Sequence, residues 1–204
     1  LSNIDALDAT TESTIEAAID SLSNLTTVGT LTSGDADAIV SAASDSTAGK
    51  VELATAAETT TGTDTGRAVT PDGLAGSDFG IRYVQAIVFD FATDTATGDG
   101  KFYLHVPAAL DGMDLVEVHA EVITAGTTGT TDIQIHNVDN AVDMLSTKLT
   151  IDSGETGSDT AATPAVINTS NDHVNENDVV RIDVDAVSTT AAQGLIVTMG
   201  FQLP

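Results

Sequence analysis

From Ile81 to the C-terminus apolar and polar residues alternate with a period of two, as they do in strands that bury one face. The segments IRYVQAIVFDF, KFYLHVP, DLVEVHAEVI, DIQIHNV, STKLTI, PAVIN, DVVRIDVDAV and GLIVTMGFQL are candidate strands. Gly/Asp/Thr/Ser loops such as TDTATGDG, TAGTTGTT, DSGETGSDTAAT and STTAAQG part them. Val116, Val118, Ala120 and Val122 share one face of their strand, and Glu117, His119 and Glu121 the other. Near the end of the chain Val180, Ile182 and Val184 oppose Arg181, Asp183 and Asp185. One face of each strand is therefore core, while the other meets water or another subunit. The pattern predicts a mainly β fold, with an antiparallel, jelly-roll-like β-sandwich over residues 81–204.

The first 27 residues follow a different period. Ile4, Leu7, Ile15, Ala18, Leu22 and Leu25, with Thr11 filling the gap, are spaced 3, 4, 4, 3, 4 and 3 residues apart, a heptad-like seam with one extra step. So thin a stripe on a Thr- and Ser-rich helix is marginal in isolation. It predicts a coiled-coil segment, residues 1–27, that associates with copies of itself. The alternative is an amphipathic helix packed on its own domain.

Residues 28–80 lie between these patterns and are expected to be a linker followed by a collar. The early part, TTVGTLTSGDADAIVSAASDSTAGK from Thr26, reads as a linker with at most a short helix. The later part, VELATAAETTTGTDTGRAVTPDGL, is more structured. VELA is short and extended, TAAE makes a helical turn, TGTDTG is a turn-rich loop, and Thr70 before Pro71 and Asp72 is a helix start. Arg67 stands among Glu58, Asp64 and Asp72, where it can hold the loop through charge-assisted hydrogen bonds. These residues are scaffolding, without a nucleophile, a metal shell or a phosphate cradle.

That string resembles a repeat found in tail fibres of tailed phages, V-x-L-A-T-x-x-E leading through G-T-D-x-x-R to A-V-T-P-x-x-L. The matching residues are Val51, Leu53, Ala54, Thr55, Glu58, Gly62, Thr63, Asp64, Arg67, Ala68, Val69, Thr70, Pro71 and Leu74. The remainder is similar in style to the C-terminal heads of phage fibres. The resemblance implies a homotrimer on a virion, joined to other tail or baseplate proteins, whose β-rich receptor-binding head touches the host surface. The chain departs from the family in its single copy of the repeat, which suits a short spike, and in its acidity.

Composition sharpens this picture. The chain of 204 residues carries 6 Lys plus Arg against 31 Asp plus Glu, for a formal charge of −25. Such a field repels phosphates and offers no basic cluster to release their counterions, which argues against nucleic-acid partners. Self-repulsion of this size is relieved by salt, where at about 1 M the Debye length is roughly 3 Å; a marine or halophilic setting is expected, against the plainer reading of a merely solubilising surface. Cysteine is absent, so neither disulfides nor thiolates hold the fold. Without a run of about 18 apolar residues, no membrane-spanning helix is expected. The start at Leu1 suggests a processed product or a piece of something longer.

No catalytic residue is assigned. Carboxylate pairs arise by chance in so acidic a chain, and the aromatic content of 3%, without Trp, is poor for a sugar-cleaving cleft. His105, His119 and His136 fall on separate strands and His173 in the NDHVNEND loop, so no zinc ligand set forms within one chain, although one His per chain on a threefold axis could. No cofactor is expected; GDADA, NDHVNEND and DVD offer oxygens that suit calcium, but none has the order of an EF-hand. Receptor contact is assigned to loops. Candidate residues are Thr93, Asp94, Thr95 and Asp99; Thr127, Thr128 and Thr130; Ser153, Glu155, Thr156 and Asp159; and Ser188, Thr189 and Gln193. Their hydroxyls, carboxylates and amide suit a host glycan or S-layer glycoprotein. Two other roles fit the same sequence, a capsid turret or head-fibre decoration and a fragment of a cell-surface adhesin.

Overall fold

The computed structural model describes residues 42–44 and 49–204, together with Thr10, Thr11 and Thr14. The candidate seam, Ile4, Leu7, Ile15, Ala18, Leu22 and Leu25, lies outside the described residues, as does GDADA. The chain divides into two units, residues 1–50 and 51–204. In the first, the Thr14 hydroxyl donates to the Thr10 carbonyl at 2.7 Å, one helical turn back.

The second unit begins with the collar string. Strands β1 (Glu52–Leu53) and β2 (Arg67–Ala68) pair in parallel. Between them, helix α1 (Ala56–Thr61) starts in a capping box: Glu58 N donates to Thr55 Oγ1 at 3.3 Å, and Thr55 N donates to Glu58 Oε2 at 3.0 Å. Helix α2 (Pro71–Ala75) starts at Thr70, whose hydroxyl accepts from Gly73 N at 3.0 Å, with Pro71 at the first helical position. Helices this short do not hold themselves together. Arg67 ties the region, bonded to Glu58 and lying 3.1 Å from Glu52 and 3.4 Å from Asp64. Asp72 is not among its partners; it occupies the first turn of α2, where the positive helix end favours a carboxylate.

The remaining strands are β3 (Arg82–Ile87), β4 (Gly98–His105), β5 (Met113–Thr124), β6 (Thr131–Asn137), β7 (Val142–Asp143), β8 (Leu145–Thr147), β9 (Leu149–Ile151), β10 (Val166–Ile167), β11 (His173–Val174), β12 (Val179–Ala186) and β13 (Gln193–Gln202). The described residues are mainly β, built on two larger antiparallel sheets beside the two-stranded pairs β1-β2 and β8-β10. One is four-stranded, in the order β11-β5-β13-β3. The other is five-stranded, β4-β12-β6-β7 with β9 also on β6.

Residues that alternate along the strands meet in a single core. Leu115, Ala120 and Val122 of β5, Leu195, Val197, Met199 and Phe201 of β13 and Ala86 of β3 cluster with Ile133 and Ile135 of β6 and Val180, Ile182 and Val184 of β12, all buried. Each fully buried Val, Leu, Ile, Met or Phe contributes about 1.5–3 kcal/mol.

The strict alternation expected along β5 fails at one place. Gly200 pairs with Glu117 but Phe201 pairs with Leu115, so Val116 is the extra residue of a β-bulge. Leu115 takes the inward position and Val116 is turned out. NDHVNEND, read as a loop, also contains strand β11: Val174 is fully buried, and His173 pairs with Asp114 of β5.

Candidate functional site

Successive long strands alternate between the two sheets, which sends the loops after β3, β5, β9 and β12 to one end of the unit. These are the four loops assigned to receptor contact, and hydrogen bonds bind them into one crown. Gln193 Nε2 donates to Asp94 Oδ1 at 2.8 Å and Gly194 N to the Thr93 carbonyl at 3.1 Å. Thr127 N donates to the Thr190 carbonyl at 3.0 Å, and Thr189 N to the Thr128 carbonyl at 2.8 Å. The third loop joins through Thr128 N, which donates to Ser153 Oγ at 2.7 Å, and Gly154 N, which donates to the Gly126 carbonyl at 2.9 Å.

The opposite end holds the loops after β4, β6 and β11 together with the collar. Val106 N donates to the Asp178 carbonyl at 2.8 Å, and Glu176 N to Asp111 Oδ1 at 2.8 Å. Gln202 Nε2 reaches the Ala75 and Ser77 carbonyls at 3.0 and 2.7 Å, while Arg82 is bonded to the Ala109 carbonyl.

The candidate residues fall into four groups. Thr93, Asp94, Thr127, Thr128, Ser153 and Thr189 are exposed on the crown, with Thr130 and Gln193 half-buried beside them. Thr95 and Ser188 are buried: Thr95 N donates to the Ala192 carbonyl at 2.8 Å and the Ser188 hydroxyl to the Gly129 carbonyl at 3.3 Å, so both support the crown from below. Asp99 is outside it, on β4, where its carboxylate lies 3.3 Å from the Arg181 guanidinium. Thr128 is left-handed at φ 60°. A β-branched residue is strained there by about 1–2 kcal/mol.

Glu155, Thr156 and Asp159 belong to a different feature. Residues 154–160 stand as a ridge along β5, held by Val122 N to the Thr156 carbonyl at 2.8 Å, Ser158 N to the Ala120 carbonyl at 2.9 Å and Ala120 N to Ser158 Oγ at 2.9 Å. Between the ridge and β3 lies an open cleft of about 790 Å³, floored by Gln85, His119, Glu121, Ile196 and Thr198. A smaller one of about 450 Å³ lies on the other flank of the ridge, sharing His119, Ser158 and Asp159. The floor residues are the outward positions of strands whose inward positions make the core. Their alternation was readable, but their meeting depends on the register that sets Thr198 between Gln85 and His119.

Next to this floor is a row of titratable groups. The Tyr83 hydroxyl donates to Glu117 Oε2 at 2.5 Å, and Glu117 Oε1 lies 2.8 Å from His119 Nε2. Gly200 sits between Tyr83 and Glu117 in the sheet; a Cβ there would crowd Ile81, Glu117 and Tyr83 at 3.0–3.1 Å. The hydrogen bond to Glu117 raises the Tyr83 hydroxyl above its usual pKa, and the bonds from Tyr83 and then His119 hold Glu117 below the usual carboxylate value.

His136 and His173 each face one carboxylate, Asp143 at 2.7 Å and Asp114 at 2.8 Å. Among the described residues, no group of three or more His, Cys, Asp or Glu side chains converges as a metal would require. No described helix is long and apolar enough to cross a membrane. No family model, curated protein or solved structure matches the chain.

Proposed function

We propose that the chain is a structural protein of a virus particle, a homotrimeric fibre or spike whose head attaches the virion to the host surface without catalysis. One observation carries the reading: the four loops rich in exposed hydroxyls gather at the end opposite the collar. An anchored fibre needs this polarity, because its adhesive loops must face away from the particle. Thr93, Asp94, Thr127, Thr128 and Thr189 are the contacts proposed for a glycan or S-layer glycoprotein, joined by Ser153 and Gln193. Their donors and acceptors match sugar hydroxyls, and three weak crowns on one stalk gain strength by effective concentration.

The head is proposed to be a jelly roll. With β3, β4, β5, β6, the β7–β9 run, β11, β12 and β13 numbered one to eight, the sheet orders are 6-3-8-1 and 2-7-4-5. These are the neighbours produced when a long antiparallel hairpin pairing one with eight, two with seven, three with six and four with five wraps into two sheets. Support for the collar as a fibre repeat comes from the motif residues that shape it: Thr55 and Glu58 cap α1, Arg67 ties β1 to α1, and Thr70 and Pro71 start α2.

Adsorption competition tests the role. Soluble protein in molar salt is expected to reduce virus adsorption to host cells in proportion to its concentration, and a Thr127→Ala/Thr189→Ala variant to do so less. Saturating protein that leaves adsorption unchanged overturns attachment and leaves a decorating role on the capsid.

A further inference from the structure

The two sheets present unlike outer faces. On the five-stranded sheet, Arg181 lies 2.9 Å from Asp183 and 3.3 Å from Asp99, Lys148 is 2.8 Å from Asp185, and His136 is 2.7 Å from Asp143. That face is ionic and suited to water. On the four-stranded sheet, the outward positions of β3 and β13 are Tyr83, Gln85, Ile87, Ile196, Thr198 and Gly200, none of them charged. Ile87 is 62% and Tyr83 57% exposed. Of the acids that β5 adds, Glu117 is held by Tyr83 and His119 and Asp114 by His173, while Glu121 stands exposed beside Ile196, at the border of the uncharged strip. Among the described residues strand β3 is also an edge, pairing with β13 alone, and its outward positions lack the lysine or proline that guards exposed edges.

We infer that this face is where the heads of neighbouring copies meet, with the β3–β13 strip packed against a second copy of the chain. The charge distribution selects that occupant. Two copies of a chain of charge −25 repel wherever their carboxylates face each other. They approach at least cost along the strip of β3 and β13, whose outward positions carry no charge.

The two strands of the strip, about 4.8 Å apart and some six residues long, give a footprint of roughly 200 Å². That is a quarter of the about 800 Å² per partner usual in a stable complex. The contact therefore consolidates copies that are already tethered, and in this respect the inference rests on the trimer proposed above.

The natural chain has no cysteine, so a single engineered thiol reports its own surroundings. The test uses the full chain in molar KCl, with Ile87→Cys on the proposed contact and Tyr103→Cys on the ionic face as control. Both positions are exposed in the single chain, and equal melting temperatures would verify an intact fold. Light scattering is expected to give a trimer, and maleimide to label the Ile87→Cys variant about tenfold more slowly than the Tyr103→Cys variant, the factor that about 1.4 kcal/mol supplies. A trimer whose two thiols label at equal rates overturns the interface and leaves the trimer standing. A monomer at micromolar concentration overturns both.

Discussion

Asp183 offers the sharpest test of how the crown is supported. It belongs to the outward set of β12, yet it is only 3% exposed. Its Oδ1 accepts from Gly100 N at 2.6 Å and its Oδ2 from Arg181 Nε at 2.9 Å. Gly100 is at φ 64°, with the Tyr103 hydroxyl filling the space a side chain would take. Asp183 thus pins the start of β4, where the first crown loop ends. Asp183→Ala strands a peptide N–H, at about 1–3 kcal/mol, and removes the buried partner of a guanidinium. Losing one member of a buried pair costs about 3–5 kcal/mol, and the partial exposure of Arg181 places this case at the low end. A total near 3–4 kcal/mol is expected, a fall of about 6–16 °C in Tm at this chain length. Asp183→Asn keeps an acceptor for Gly100 and loses the charge, so about 1–2 kcal/mol is expected. Urea unfolding is the assay, since an uncharged denaturant leaves ionic strength free to vary. Because Asp183 is buried, its loss should persist in 2 M KCl, whereas any cost of Lys148→Met at an exposed pair should vanish there. A cost below about 1 kcal/mol for the alanine variant, or one abolished by salt, would refute the reasoning.

Phe201→Ala empties the centre of the shared core and should cost about 3–5 kcal/mol in urea titration; a cost near 1 kcal/mol would mean that the sheets do not close on this residue. Tyr83→Phe should flatten stability against pH at both limbs. Glu117 is held low, so its contribution is present above the free carboxylate value and lost as acid is added; Tyr83 is raised, so its contribution is present below about pH 10 and lost above it. Tyr83 is exposed and Glu117 half-buried, so solvent screening should keep the effect under about 1 kcal/mol, and an unchanged Tm–pH profile would contradict it. Thr128→Asn relieves a β-branched residue at φ 60° and should stabilise by about 0.5–1 kcal/mol, read as a higher Tm; a lower Tm would show that the threonine side chain is structurally required.

Period-two alternation made the long strands legible because each buries one face, and the inward residues of β12 and β13 could be read directly. The collar was legible for another reason: helix starts are local, so Thr70-Pro71-Asp72 announces its geometry within three residues. What escaped was non-local. Val116 looks as inward as Val118, and only the paired register of β13 reveals the bulge that expels it. Strand β11 escaped because Val174 is a lone apolar residue among polar ones, with no period to detect. Thr95 and Ser188 look like any loop hydroxyl, and their burial follows from the loops of other strands closing over them. The larger cleft beside the ridge shares this origin, since its floor joins β3 and β13, whose Gln85 and Thr198 are 113 residues apart in sequence.

The acidity itself changes meaning once the loops are seen. An acidic surface read from composition suggests solubility or salt tolerance, functions indifferent to where each carboxylate stands. Here many accept a hydrogen bond from a peptide N–H. Asp64 accepts from Gly66 N at 2.7 Å, Asp111 from Glu176 N at 2.8 Å, Asp139 from Val179 N at 2.7 Å, Asp152 from Ala162 N at 2.8 Å and Asp178 from Asn175 N at 3.0 Å. Asp64 and Asp178 reach backbone two and three residues away, which a short side chain does without ordering a long stem, whereas Asp111, Asp139 and Asp152 tie segments 65, 40 and 10 residues apart. A carboxylate so bound has part of its charge opposed by the N–H dipole, so replacing it with Lys to lower the net charge would remove a turn as well as a repulsion. The cost of the chain's charge is therefore not spread evenly over its carboxylates. It falls on those without such a donor, and they are where added salt gains the most stability.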